Sequence, residues 1–261
     1  MRAHIALGVF LASLALPAAA RAEDLDGHAI IDKADKVTRA KTEKDRISMI
    51  IVSSSGEKRK RELTSWFLAG EGDDNKVLVR FDAPADVKGT GLLTVVHGDS
   101  DDQWLYLPDL RKSKRIAGAT KSQSFMSTDF SNYDLRTEDI PGHVYAKTGE
   151  QSLDGRACYV VEGKPKDDDK LDETGYSRRV FWVDKERFTV PKVEYYDKAG
   201  KLLKVALSEG WKQFDGLWRP AKVTMENKQE GSKTIVTYER GREVNKGVPE
   251  STFTKQALEN P

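Results

Sequence analysis

The sequence predicts a mainly β protein built on one antiparallel sheet large enough to curl. Three observations carry this. Short runs of alternating apolar and polar residues fill most of the chain after residue 45. Turn signals rich in Gly, Asp, Asn and Ser separate them at intervals of about 8–12 residues. Helical periodicity is confined to the N-terminal part and to one short turn, so helices can cover a sheet but cannot form a layer of their own.

Taken in order, Gly27 to Ala40 reads as a helix. Ile30, Ala34 and Val37 recur at helical spacing, and Asp26 stands where an N-cap belongs. Arg46 to Ser53 is a strand with apolar residues on both faces, closed by the turn Ser53-Ser54-Ser55-Gly56. Lys58 to Leu68 is a long strand, charged in its first half and carrying Trp66 and Phe67 in its second; Lys76 to Phe81 is the next. Ala83-Pro84-Ala85-Asp86 cannot lie inside a sheet, because proline lacks the ladder donor. Gly89-Thr90-Gly91 supplies backbone freedom for the loop. Leu92 to Val96 and Gln103 to Pro108 are strands, and Arg111-Lys112-Ser113-Lys114-Arg115 is a basic run.

A short helical turn is expected near Thr128 to Asp134. Beyond it the chain reads as a meander, with strands at His143 to Thr148, Arg156 to Glu162, Tyr176 to Val183, Pro191 to Tyr196, Lys201 to Ser208, Ala221 to Asn227 and Lys233 to Tyr238. Shorter segments surround Asp215-Gly216. Pro165 to Thr174 reads as an acidic loop, and Val244 to Phe253 as a terminal strand or loop. The expected total is about ten or eleven strands. The N-terminal helix and the short turn are left to cover the concave face. No repeat, low-complexity tract or linker divides residues 23–261, which read as a single domain.

The first 22 residues read as a signal peptide: Arg2, an apolar stretch from Ile5 to Leu16, and Ala20-Arg21-Ala22 as the cleavage site, with the cut after Ala22. The apolar stretch is short of the roughly 20 residues that span a bilayer, so a retained anchor is the lesser alternative. The mature chain is expected to be exported and soluble. The chain carries 43 bases and 42 acids; removing residues 1–22 takes away Arg2 and Arg21 and no acid, leaving a net charge of −1. That balance argues against nucleic acid as a partner. Cys158 is the sole cysteine, so no internal disulfide is possible, and it reads as a small buried apolar residue in a strand. No cysteine follows the cleavage site to carry a lipid anchor.

Catalytic signatures are sparse. His28, His97 and His143 lie far apart, and no metal-ligand spacing appears. The acidic groups Asp99-Ser100-Asp101-Asp102 and Asp167-Asp168-Asp169 lack the rest of a calcium loop and read as solvated loops. No G-x-S-x-G elbow is present. The chain is expected not to be an enzyme and to need no cofactor.

Aromatic residues recur on many strands, and on a curled sheet alternate members point inward. They either fill a dry core or line a cavity. An acyl chain of about 16 carbons loses on the order of 12 kcal/mol of burial on leaving a membrane. A soluble carrier must replace it with an apolar pocket of about 300–1,000 Å³. The residues expected to contact lipid are Trp66, Phe81, Trp104, Tyr106, Phe125, Met126, Phe130 and Trp182. Arg111, Lys112, Lys114 and Arg115 are expected to meet a head group or a partner protein, or otherwise to be an exposed loop.

Three stretches carry a family resemblance: Phe81 to Gly91, Trp104 to Pro108, and Ser124 to Ser131. With Phe181 to Glu186, Val193 to Leu202 and Asp215 to Pro220, they resemble the outer-membrane lipoprotein-sorting proteins of the LolA/LolB-like superfamily. The resemblance implies an unclosed antiparallel β-barrel with helices in its opening, a cavity for acyl chains and a periplasmic location. It also implies an RND-type lipid exporter of the inner membrane as a possible partner. The function expected is a periplasmic carrier, monomeric, that binds the acyl chains of a lipid or lipoprotein and touches membranes transiently. The alternatives are an envelope adaptor without lipid cargo and a hydrolase or metal enzyme of unfamiliar type.

Overall fold

The computed structural model describes residues 25–98 and 100–260; the expected leader lies outside them. Helix α1 (Gly27–Thr38) starts at Asp26, whose carboxylate accepts the Ala29 N–H at 2.8 Å, satisfying one of the free donors of the first turn. Its buried face is Ile30, Ile31 and Ala34. Six strands follow as an antiparallel meander: β1 (Thr42–Val52), β2 (Lys58–Ala69), β3 (Asn75–Ala83), β4 (Gly91–His97), β5 (Ser100–Leu107) and β6 (Lys112–Ile116). A second meander comprises β7 (His143–Leu153), β8 (Arg156–Pro165), β9 (Tyr176–Asp184), β10 (Lys192–Asp197) and β11 (Leu202–Glu209), with helix α2 (Asp168–Thr174) between β8 and β9. The ribbon β12 (Lys212–Phe214) and β13 (Leu217–Arg219) stands apart. Then come β14 (Lys222–Asn227), β15 (Ser232–Tyr238), β16 (Glu243–Val244) and helix α3 (Lys255–Glu259).

Spatially the strands run β6-β5-β4-β3-β2-β1-β15-β14-β11-β10-β9-β8-β7, all antiparallel, with β16 capping one end of β1. The first meander walks outward to one edge, the second walks back from the other, and β15 joins them by pairing with β1. The two edges, β6 and β7, do not pair, so the curled sheet is an unclosed barrel.

The strands outnumber the ten or eleven expected. In β6 the charges Lys112, Lys114 and Arg115 hide any apolar alternation, while β12, β13 and β16 are too short to show a period. Two helices also depart from expectation. Residues 168–174 form α2 rather than a loop: Asp167 accepts the Lys170 N–H at 2.7 Å and Gly175 closes the helix with φ +75°, the conformation glycine adopts without strain. The C-terminal stretch is neither a long strand nor a loop. After β16 it forms a 3-10 turn, Glu250–Phe253, and then α3. The helical turn expected near Thr128 to Asp134 is short and sits at Tyr133–Leu135.

The topology obliges the chain to pass from the β6 edge to the β7 edge, and residues 117–142 make that passage across the concave face. Phe125 inserts among Ile47, Met49, Leu63, Phe81 and Leu92, with Met126 and Phe130 packed alongside. Polar stitches fix its backbone: Gln103 Nε2 donates to the Asn132 carbonyl at 3.0 Å, and Arg61 Nη1 to that of Met126 at 2.5 Å. One half of the concave face is thereby filled. Over the other half lies α1, against β7, β8 and β9, closing a core of Ile30, Ile31, Tyr145, Val161, Phe181 and Val183.

On the convex face the C-terminal segment covers a third core. Phe253 and Leu258 pack on Leu78, Leu93 and Tyr106, beside Trp66 and Trp104. Gly91 permits this: a Cβ there would stand 2.8 Å from Leu258 Cδ1, closer than atoms approach without displacement.

Candidate functional site

Between α1, the crossing segment and the strands β9, β10, β11 and β14 the concave face retains a hollow of about 480 Å³. Strand alternation supplies its floor: Phe181, Val193, Tyr195, Ala206, Val223 and Met225 project from neighbouring strands onto one face. Ile31 and Ala34 of α1 form its roof, and Phe67 and Phe130 its wall toward the filled half.

Four acids and four arginines also line it, and each is neutralised. Arg39 meets Asp35 at 2.9 Å, Arg219 meets Glu43 at 2.9 Å, and Arg179 grips both oxygens of Glu138 at 2.6 and 2.8 Å. Arg136 reaches Asp101 at 2.8 Å and Asp139 at 3.1 Å, and Asp134 meets Lys204 at 3.3 Å. Burial pushes the Glu138 carboxyl up, but the Arg179 charge, together with hydrogen bonds from Arg179 and Tyr145, brings it below its usual range.

Arg136 belongs to a closed ring of six alternating charges: Lys121, Asp101, Arg136, Asp139, Lys170 and Glu173. The ring ties the crossing segment to β5 and α2. Beside it His143 is buried as the neutral imidazole. Its Nδ1 donates to the Asp139 carbonyl at 2.8 Å, and its Nε2 accepts from Arg179 at 3.1 Å. Burial, with the Arg179 charge adjacent, pushes its pKa down to about 4.

The structure divides the eight residues expected to contact lipid between two faces. Phe81, Phe125, Met126 and Phe130 lie on the concave side, but Phe81 and Phe125 are fully buried against each other and Phe130 alone of the four borders the hollow. Trp66, Trp104 and Tyr106 lie on the convex face beneath the C-terminal segment. Trp182 is also on that face, donating to Gln151 Oε1 at 3.0 Å with Lys192 Nζ over its ring. The aromatic stretch of β5 alternates with Gln103 and Leu105, and it is this pair that points inward.

Arg111, Lys112, Lys114 and Arg115 are exposed at the edge strand and its turn, away from the hollow; Arg115 Nε is engaged by Asp102 at 3.0 Å. Cations on an exposed edge also discourage pairing with another sheet. Asp101, read from sequence as part of a solvated loop, is instead a buried member of the charge ring. Asp167 caps α2.

The floor residues Val193, Ala206, Val223 and Met225 carry no chemical signature. The signal available for them was the parity of each strand once its register is known. Among the described residues no cluster of His, Cys, Asp or Glu could hold a metal ion, and no helix is long and apolar enough to cross a membrane.

A family profile described as an uncharacterized protein matches residues 73–260. The solved structure of an outer membrane lipoprotein-sorting protein domain from Vibrio parahaemolyticus is 32% identical, with 89% of this chain and 98% of that one covered and a TM-score of 0.83. A DUF1329 family protein from Desulfovibrio piger is also 32% identical over 89% of this chain and 97% of its own, at TM-score 0.83. A LolA superfamily protein from Nitrosomonas europaea, 21% identical, covers 89% of this chain and 99% of its own at TM-score 0.71, and shares the fold. No curated protein matches the chain. The chain belongs to the outer membrane lipoprotein-sorting protein family, with the LolA-like unclosed barrel.

Proposed function

We propose that this protein is a periplasmic carrier that holds the acyl chains of a lipid or lipoprotein in the hollow beneath α1. One observation carries the reading: a space of about 480 Å³, walled by apolar side chains from α1 and four strands, survives on a concave face that is otherwise filled. Its size falls in the range of about 300–1,000 Å³ typical of small-molecule sites. Burial of roughly 0.8 kcal/mol per methylene would offset the cost of removing a chain from a membrane. Binding is reversible and needs no covalent step. Residues 1–22 act as a leader cut after Ala22, and residues 23–261 form one lipid-binding domain. Delivery is between membranes, or to and from an inner-membrane lipid exporter.

Of the residues expected from sequence, Phe130 keeps a place in this site, joined by Phe67, Phe181, Val193, Ala206 and Met225. The test is extraction and mass spectrometry of lipid from protein isolated from its own periplasm, with titration of a fluorescent fatty-acid probe. Retained lipid and saturable probe binding are expected. A protein that never carries lipid and never binds the probe would be an adaptor, as the filled half of the barrel suggests.

A further inference from the structure

We infer that the hollow selects acyl chains whose carbonyl is esterified or amidated over free fatty acids, and that the Tyr195 hydroxyl is the group that recognises that carbonyl. This deepens the carrier reading and rests on it. Two observations lead to it.

The first is the charge balance of the walls. Every ionised side chain lining the hollow already has an opposite charge within 3.3 Å. An ionised carboxylate drawn into this space would give up water and find no unpaired cation in exchange, which is costly. An uncharged ester or amide does not meet that cost.

The second is Tyr195. It projects from β10 into the hollow, with its ring edge-on to Tyr176 at 5.0 Å. Tyr176 spends its own hydroxyl on Asp134, at 2.9 Å, and receives Lys204 Nζ at 2.9 Å. The Tyr195 hydroxyl makes no hydrogen bond to any described residue, yet it is not sealed from the hollow. Burial, with the Asp134 carboxylate and Tyr176 nearby, raises its pKa, so it stays a proton donor at neutral pH. A donor that lines the hollow and has no protein partner is a place where a ligand acceptor can take over a hydrogen bond from water. Asp134 lines the same part of the wall. Lys204 already neutralises it, so a carboxylate placed at Tyr195 meets no free cation there, while a neutral carbonyl oxygen needs none.

The experiment titrates the purified mature chain, freed of bound lipid, with cis-parinaric acid and with its methyl ester at pH 7.5. The ester is expected to bind about ten-fold more tightly than the ionised acid. Tyr195→Phe should weaken the ester by about three- to ten-fold and leave the acid unchanged. Because that hydroxyl has no protein partner, the variant should keep the parent's unfolding midpoint. An acid that binds as tightly as the ester, or a Tyr195→Phe variant that binds the ester normally, overturns the inference and leaves the carrier reading standing. Failure of both probes to bind overturns both.

Discussion

Phe125 stacks on Phe81, the two ring centroids 5.6 Å apart and their planes 18° from parallel. One ring belongs to β3 and the other to the segment that crosses the concave face. This contact lies within the filled half of the barrel, and neither ring borders the hollow. Phe125→Ala removes a fully buried ring from that plug and should lower stability by about 3–5 kcal/mol, measured by urea unfolding. A loss under about 1 kcal/mol would mean that the segment is not a packed part of the core.

The hollow itself is tested by filling it. Ala206→Phe and Ala34→Phe place a ring inside it, from the floor and the roof. Each should cut affinity for a fluorescent acyl probe at least about ten-fold, because the space the chain needs is taken. Trp104→Ala, on the convex face, should leave affinity unchanged. The reverse pattern would move the site to the convex face.

The charge ring predicts a stability effect. Asp139→Asn leaves Arg136 and Lys170 short of a buried counter-charge. Removing one partner of a buried pair typically costs about 3–5 kcal/mol, and a lowered thermal midpoint with increased proteolysis within residues 117–142 is expected. An unchanged midpoint would show that the ring is dispensable.

His143 predicts a pH effect. Its folded pKa is about 4 against about 6.5 in an unfolded chain. Between those values the unfolded state binds the extra proton. The contribution of the neutral imidazole is therefore complete well above pH 6.5 and is lost as pH falls through 4, on the order of 3 kcal/mol in all. The stability difference between the parent and His143→Gln should shrink across this window in chemical denaturation. A difference that stays constant from pH 7 to pH 4 would contradict the buried neutral histidine.

The C-terminal helix predicts a packing effect. Leu258 is fully buried over β4, and Leu258→Ala should cost about 2–5 kcal/mol. Binding of a hydrophobic dye should rise as Trp66, Trp104 and Tyr106 become exposed. No change in either would mean that α3 is only loosely attached.

Much of the fold was legible in the sequence. Alternation in Ile47, Met49 and Ile51, the turn at Ser53 to Gly56 and the cap at Asp26 each report a local preference of a few consecutive residues. Helix α2 could have been read the same way, from Asp167 at its start and Gly175 at its end; the acidic residues between them resemble a solvated loop. The site was less accessible. Trp104 and Tyr106 are two apart, so they must share a face, but nothing in the stretch tells which face.

The sequence by itself determined a curled antiparallel sheet, its helix at the start and its family, because strand period, turn chemistry and capping act over short spans of chain. Only the tertiary structure decided where the hollow lies. That depended on residues 117–142 crossing one side of the sheet and residues 248–259 covering the other. Both placements are set by packing between residues as distant as Phe81 and Phe125, or Gly91 and Leu258, and no local pattern encodes which surface a returning segment will choose.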